Sequence, residues 1–351
     1  MSESPSGLAR LGAGLHRVLF VYLVALIAAV VSERMFWFWA PGLTEHLAVA
    51  AFYALAAAPL VWAIARYRVN SWWSLMLALP LFSLVVEGII TPVVYSGGPF
   101  VPIFPAWFAF WHGVLGAGLA VFGIRWMLVN GRTTLLLATS VGAGLFWATW
   151  STTLWLPENL EDPELVEMEG GPLHLLDPSE FTLYAVTFTA VTILGHALLH
   201  VIWPTSFEPH RYTVRTVGIV LFLWAAAWSA AIPWALPMFV AYAWLQRWGL
   251  RRHEAVASGP GLLAQLAGPV RPVLFLTLLP MAPVAAGTYA LLWNLDLPLD
   301  VPRTFMWSMI AAQTIAGGVL MVRSLRRAGR IDDGAVAEND DTPEPVGPGV
   351  S

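Results

Sequence analysis

The chain has 351 residues, of which 58% are hydrophobic and 11% are charged, and its formal net charge is −4. A soluble domain has about 45–50% apolar and about 25% charged residues, so this composition excludes an ordinary soluble fold and indicates a membrane protein. The chain lacks cysteine, and all 18 of its basic residues are arginine. Disulfides, thiolate ligands and Schiff-base lysines are therefore excluded.

Apolar runs long enough to cross a bilayer, about 20 residues each, recur along the whole chain. They predict an all-α, polytopic integral membrane protein with about ten transmembrane helices. The predicted segments are His16–Trp39, Glu45–Ala65, Ser71–Tyr95, Pro105–Leu128, Thr133–Leu156, Phe181–Trp203, Arg215–Ile232, Trp234–Leu250, Pro272–Trp293 and Arg303–Val322.

Turn and cap residues mark the boundaries of these segments. Asp177 stands before Pro178, and Glu180 follows, which predicts an acidic N-cap and a capping box at the start of the sixth segment. The seventh and eighth segments are separated only by Pro233. These two segments form either a tight hairpin or one long, broken element.

The distribution of arginine predicts that both termini lie in the cytoplasm. With the N-terminus inside, 16 of the 18 arginines fall in cytoplasmic segments and flanks, and only Arg34 and Arg303 fall outside. Cytoplasmic loops of membrane proteins are enriched in basic residues, so the prediction is self-consistent. The protein is expected in the cell membrane, with a cytoplasmic segment at 1–15 and a transmembrane domain at 16–329.

Acidic residues are concentrated in two stretches. Eight lie in an extracytoplasmic loop at 157–180, and six lie in the cytoplasmic tail at 330–351. The tail has too little apolar content to fold and is expected to be disordered. Neither stretch offers the basic clusters that face phosphates, so no nucleic-acid partner is predicted.

Ionisable side chains inside transmembrane segments are functional candidates, because a charge in the bilayer is costly unless it is paired or hydrated. Glu87 stands alone in an apolar sequence and is the strongest candidate for a proton or cation site. An ideal helix reaching Tyr95 would place Glu87 roughly 12 Å below the outer end. The alternative is a structural carboxylate bonded to Arg34 or to a tryptophan N–H group.

Further candidates lie in the outer half of the first, second and fourth segments. Glu33 and Arg34 point about 100° apart on a helix and do not pair with one another. We expect Arg34 to extend to the outer surface, and Glu33 either to face the bundle or to be solvated at the rim. His46, beside Glu45, and His112 are predicted on the same side of the membrane.

The predicted outer half of the membrane thus contains three carboxylates and two imidazoles, which are Glu33, Glu45, Glu87, His46 and His112. Such a set binds a divalent metal or relays protons if the side chains converge. The alternative is that unrelated interfacial residues share one side by chance.

His196 and His200 form a separate pair in the sixth segment. Their i, i+4 spacing puts both rings on one helix face, a geometry that serves zinc or haem ligation. The segment runs inward, so this weaker metal-site candidate is predicted in the inner half. The alternative for His200 is a simple interfacial residue near Trp203.

Three functions are compatible with these patterns. The preferred one is a small-solute or ion transporter with Glu87 as the proton or cation site. The second is a membrane-embedded, metal-dependent enzyme acting on a lipid or lipid-linked substrate at the outer leaflet, and the third is a membrane scaffold or complex subunit. The lipid bilayer is the predicted partner, and the sequence identifies no substrate, cofactor or oligomeric state.

Overall fold

The computed structural model describes residues 7–36, 42–95, 103–157, 175–209 and 211–330. Every regular element within these ranges is helical. The α-helices are α1 (Gly7–Ala29), α2 (Leu43–Arg66), α3 (Trp72–Val85), α4 (Ile103–Phe108), α5 (Ile124–Val129), α6 (Thr133–Ser151), α7 (Pro178–Ile202), α8 (Arg211–Trp228), α9 (Ala235–Glu254), α10 (Leu262–Gln265), α11 (Met281–Asn294) and α12 (Asp300–Arg327).

Three π-helical segments extend or join these helices. They are π1 (Val30–Arg34), which continues α1, π2 (Val86–Ile90), which continues α3, and π3 (Ala109–Gly123), which joins α4 to α5. A π-helix bonds each N–H group to the carbonyl five residues back, and it occurs mostly as a single turn, frequently at functional sites. The 15 residues of π3 are therefore an unusually long example.

Seven of the described helical stretches are long and apolar enough to cross a membrane, which is consistent with a polytopic membrane protein. The remaining three predicted segments coincide with α6, α8 and α9, which are helical but shorter or less apolar. The seven stretches are Gly14–Arg34, Leu43–Arg66, Trp72–Ile90, Pro105–Val129, Pro178–Ile202, Pro272–Asn294 and Asp300–Arg327.

The local signals at two boundaries are confirmed. Asp177 caps α7, with its Oδ1 accepting hydrogen bonds from the backbone N–H of Ser179 (2.7 Å) and of Glu180 (2.9 Å). The Glu180 side chain accepts in turn from the backbone N–H of Asp177 at 3.0 Å. After Trp228 the chain turns, α9 begins at Ala235, and α8 and α9 pack together. The seventh and eighth segments therefore form the tight hairpin.

The three π-helical segments lie together in the interior of the bundle. α1 packs against α2, α7 and π3, and α3 packs against π3 on another side. Glycines in π3 permit this approach, because a Cβ atom on Gly116 would overlap the Ser32 side chain of π1. A Cβ on Gly113 would lie 3.0 Å from Ser83 Oγ of α3. Close contact with π3 thus brings the ends of α1 and α3 to the same place.

Some predictions concern residues outside the described ranges. The residues concerned include the N-terminal six, most of the acidic loop (158–174), and the acidic tail after Arg330.

Candidate functional site

Four titratable side chains from four helical elements form a chain of hydrogen bonds inside the bundle. The Tyr53 hydroxyl of α2 donates to the Glu33 carboxylate of π1 and lies 3.3 Å from Nδ1 of His112 in π3. Nε2 of His112 is 2.5 Å from Oε1 of Glu87 in π2. The second Glu87 oxygen accepts from the Thr91 hydroxyl at 3.0 Å. We call Glu33, Tyr53, His112 and Glu87 the polar chain.

The polar chain is removed from the protein surface. Glu33 is 9% exposed, Glu87 is 7% exposed, and Tyr53 and His112 are each 2% exposed. Burying a carboxylate costs several kcal/mol unless hydrogen bonds or an opposite charge compensate for the lost water. Here each carboxylate is compensated by a member of the chain. The convergence of Glu33, Glu87 and His112, which the sequence left open, is thus present in the structure.

Arg34 and His46 form a second buried pair next to Glu33. Nε of Arg34 donates to Nδ1 of His46 at 3.2 Å, and both side chains are 0% exposed. The guanidinium lies 5.5 Å from the ring centre of Phe188, and the Tyr184 hydroxyl donates to the Arg34 carbonyl at 3.1 Å. The expectation that Arg34 extends to the surface is therefore wrong, because α7 covers this C-terminal end of the first span with these two aromatic residues.

The predicted end of the helix that contains Glu87 is also wrong. The helix ends at Ile90 rather than at Tyr95, because Pro92 has no N–H group with which to continue it. A short 3₁₀ turn then brings the Tyr95 hydroxyl back to the Gly88 carbonyl, to which it donates at 3.0 Å. Glu87 consequently lies close to the end of its span.

Tryptophan side chains satisfy backbone carbonyls around the polar chain. The indole N–H of Trp111 in π3 donates to the Ser32 carbonyl of π1 at 2.9 Å, and that of Trp228 donates to Ile89 of π2 at 2.9 Å. Helix ends inside a membrane leave carbonyls that water cannot reach, so such donors are needed. Equivalent bonds join Trp150 to Phe36 and Trp234 to Tyr95.

The histidine pair of the sixth segment has other partners. Nε2 of His196 is 2.9 Å from the Ala120 carbonyl, and Nδ1 of His200 is 3.1 Å from Nη1 of Arg125. The two imidazoles do not share a ligand position, although they lie on one helix. Glu45 is exposed at the start of α2. Within the part of the chain that the structure describes, no three His, Asp or Glu residues are placed to hold a metal ion.

Sequence reasoning missed Tyr53 and Thr91. Tyr53 is flanked by alanine and phenylalanine in an apolar helix, where a tyrosine reads as an ordinary packing residue. Its hydroxyl is nevertheless a buried polar group that needs a partner, and this requirement is the signal that could have identified it. Thr91 precedes Pro92 and reads as a helix boundary.

Fold and site together define a polytopic helical membrane protein with a buried, hydrogen-bonded set of ionisable residues. No protein-family model, no curated protein and no solved structure matches the chain.

Proposed function

We propose that the protein is a proton-coupled transporter of a small solute or ion, and that the polar chain is its proton-carrying site. The observation that supports this proposal is the link between two buried carboxylates, Glu33 and Glu87, through one tyrosine and one histidine. Ionisable groups paired inside a membrane bundle are typical of proton relays in pumps and transporters.

The geometry accommodates one excess proton at three positions without moving a heavy atom. If His112 is doubly protonated, it donates to Tyr53 and to Glu87, and Tyr53 donates to Glu33. If the proton is on Glu33, that carboxyl donates to the Tyr53 oxygen, and the Tyr53 hydroxyl donates to Nδ1 of His112. If the proton is on Glu87, the carboxyl donates to Nε2 and Nδ1–H donates to Tyr53. Each arrangement satisfies the same contacts, because histidine and tyrosine can both donate and accept.

Both ring nitrogens of His112 are engaged within the polar chain. A metal-binding imidazole uses one nitrogen for the metal and gives the other to an orienting partner. The observed engagement favours a group that passes protons over a group that holds a metal, and thus favours the transporter over the metal-dependent enzyme.

The proton-carrying role can be tested without knowing the substrate. Infrared difference spectra of the purified protein, recorded as the pH is changed, report the C=O band of protonated carboxyl groups. We expect a band that Glu87→Gln and Glu33→Gln each alter, because the two carboxyls share one proton. Glu45→Gln is the matched control, since it makes the same change at an exposed carboxylate. Spectra that neither Glu87→Gln nor Glu33→Gln changes would contradict the proposal.

Transport itself requires proteoliposomes that contain a pH-sensitive dye. Monovalent cations, divalent cations and small organic acids are added in turn to one side, and proton movement is recorded. We expect one class to drive proton flux in the wild type and in Glu45→Gln, and little flux in Glu87→Gln. Stoichiometric metal that Glu87→Gln and His112→Ala both remove would instead favour the enzyme, and loss of stability alone would favour the scaffold.

We further infer that the protein lies in the cell membrane with about ten spans and cytoplasmic termini, on the strength of the arginine distribution. The absence of cysteine allows a direct test, because a single introduced thiol has no competitor. Ser258 and Asn294 are both exposed and lie on opposite predicted sides. An impermeant maleimide should label Asn294→Cys in intact cells and Ser258→Cys only after permeabilisation. The reverse labelling would contradict the topology.

A further inference from the structure

A basic pocket lies where the C-terminal end of α12 meets the N-terminal end of α3. It has a volume of about 300 Å³ and is lined by Trp73, Arg323, Arg326, Arg327 and Arg330. This volume is at the lower limit of the roughly 300–1,000 Å³ that small-molecule sites occupy. The pocket is separate from the polar chain, and no residue of that chain lines it.

The four arginines present concentrated positive charge to this pocket. Arg323, Arg326, Arg327 and Arg330 are all exposed. None of them forms an ion pair with an acidic side chain within the described ranges. Solvated arginines at the end of a membrane helix are common, so further features are needed to distinguish a binding site from a charged rim.

Two features distinguish the pocket. The Arg327 guanidinium lies 4.0 Å from the ring centre of Trp73, and stacking on an aromatic face holds a guanidinium in one orientation. Trp73 is also in the first turn of α3, which is capped by Ser71. The N-terminus of a helix carries a partial positive charge that favours anions. A stacked guanidinium and a helix N-terminus thus add to the positive charge of the other three exposed arginines at one place.

We propose that this pocket binds the phosphate group of an anionic phospholipid. Guanidinium groups match phosphate oxygens with paired hydrogen bonds, and basic pockets at the ends of transmembrane helices bind anionic lipid headgroups. A lipid is favoured over a soluble phosphate because the pocket adjoins two membrane-length helical stretches, and Trp72, the first residue of α3, leaves 40% of its surface exposed at the same helix end. The proposal is independent of the proposed transport function.

The test is lipid binding to the full-length protein in detergent, measured by native mass spectrometry. Phosphatidylglycerol is the anionic probe, phosphatidylcholine is the zwitterionic probe, and inorganic phosphate is the soluble probe. The variant Arg323→Gln/Arg326→Gln removes two pocket charges. The variant Arg215→Gln/Arg271→Gln removes two exposed arginines elsewhere on the same predicted side and is the matched control.

We expect phosphatidylglycerol to bind more tightly than phosphatidylcholine, and the pocket variant to weaken its binding about thirtyfold. The control variant should bind like the wild type. Melting temperatures of both variants near the wild-type value will show that the fold is kept. Equal binding of the two lipids, or an equal loss in the control variant, would overturn the proposal. Saturation by inorganic phosphate at lower concentration than the lipid would overturn the lipid as the ligand.

Discussion

Tyr53→Phe removes one hydroxyl group and leaves the packing of the ring unchanged. The ring lies against Phe82 with centroids 5.6 Å apart, and Tyr53 is 2% exposed. The substitution deprives Glu33 of a hydrogen bond to its carboxylate and Nδ1 of His112 of its partner. A bond to a charged group contributes about 1.5–3 kcal/mol and a neutral bond about 1 kcal/mol. We therefore expect Tyr53→Phe to lower the free energy of unfolding by about 2.5–4 kcal/mol.

Tyr95→Phe is the matched control for stability. Tyr95 is 0% exposed, and its hydroxyl donates a single neutral bond to the Gly88 carbonyl. Its loss should cost about 1 kcal/mol. Unfolding in mixed micelles, followed as the fraction of sodium dodecyl sulfate is raised, compares the two variants under one condition.

Tyr53→Phe also interrupts the route between the two carboxylates, Glu33 and Glu87. In Tyr53→Phe an excess proton can still move between His112 and Glu87, but it cannot reach Glu33 through the chain. We expect proton flux in proteoliposomes to fall about a hundredfold, the lower end of what positioned proton-transfer groups contribute. Wild-type flux in Tyr53→Phe, alongside the expected loss of stability, would refute the relay and leave the polar chain a structural feature.

Three further substitutions test how the bundle is held together. Gly144→Ala should lower the free energy of unfolding by about 1–3 kcal/mol, because the added Cβ would lie 2.6 Å from the Met281 carbonyl of α11. Gly142→Ala is its control: the added Cβ meets nothing within 4 Å, so this variant should be neutral or stabilising. Arg125→Met leaves the Leu266 carbonyl, to which Arg125 Nε donates at 2.9 Å, without that donor, so we expect faster proteolysis near residue 266. Asp177→Ala removes the N-cap of α7 and should cost about 1 kcal/mol in the same micelle titration.

Short-range features of the fold were predictable because neighbouring residues determine them. The capping box of Asp177 depends on residues within one helical turn, and the positions of the helices depend on runs of apolar residues. The helix formed by α3 and π2 was predicted to end at Tyr95 rather than at Ile90, because the apolar run continues to Tyr95. Pro92 ends the helix earlier, because it lacks the N–H group that a further helical turn would need.

The candidate site was only partly predictable, because it depends on which helices are neighbours. Glu33, Glu87 and His112 were identified as single residues by their charge inside apolar segments. Their meeting requires π1, π2 and π3 to pack together, and nothing in one span specifies its neighbours. The burial of Arg34 has the same origin, since Phe188 of α7 is distant in sequence but packs over it.

The length of π3 has a mechanical consequence. Each residue of an α-helix advances about 100° around the axis, and π-helical bonding reaches one residue further back along the chain. If the boundary between π3 and α5 moves by one residue, the side chains on its two sides turn relative to one another while the backbone bonds remain closed. His112 lies inside π3 and Arg125 lies just beyond it. A shift of this boundary would therefore turn Arg125 relative to His112 with neither a hinge nor an unfolded turn.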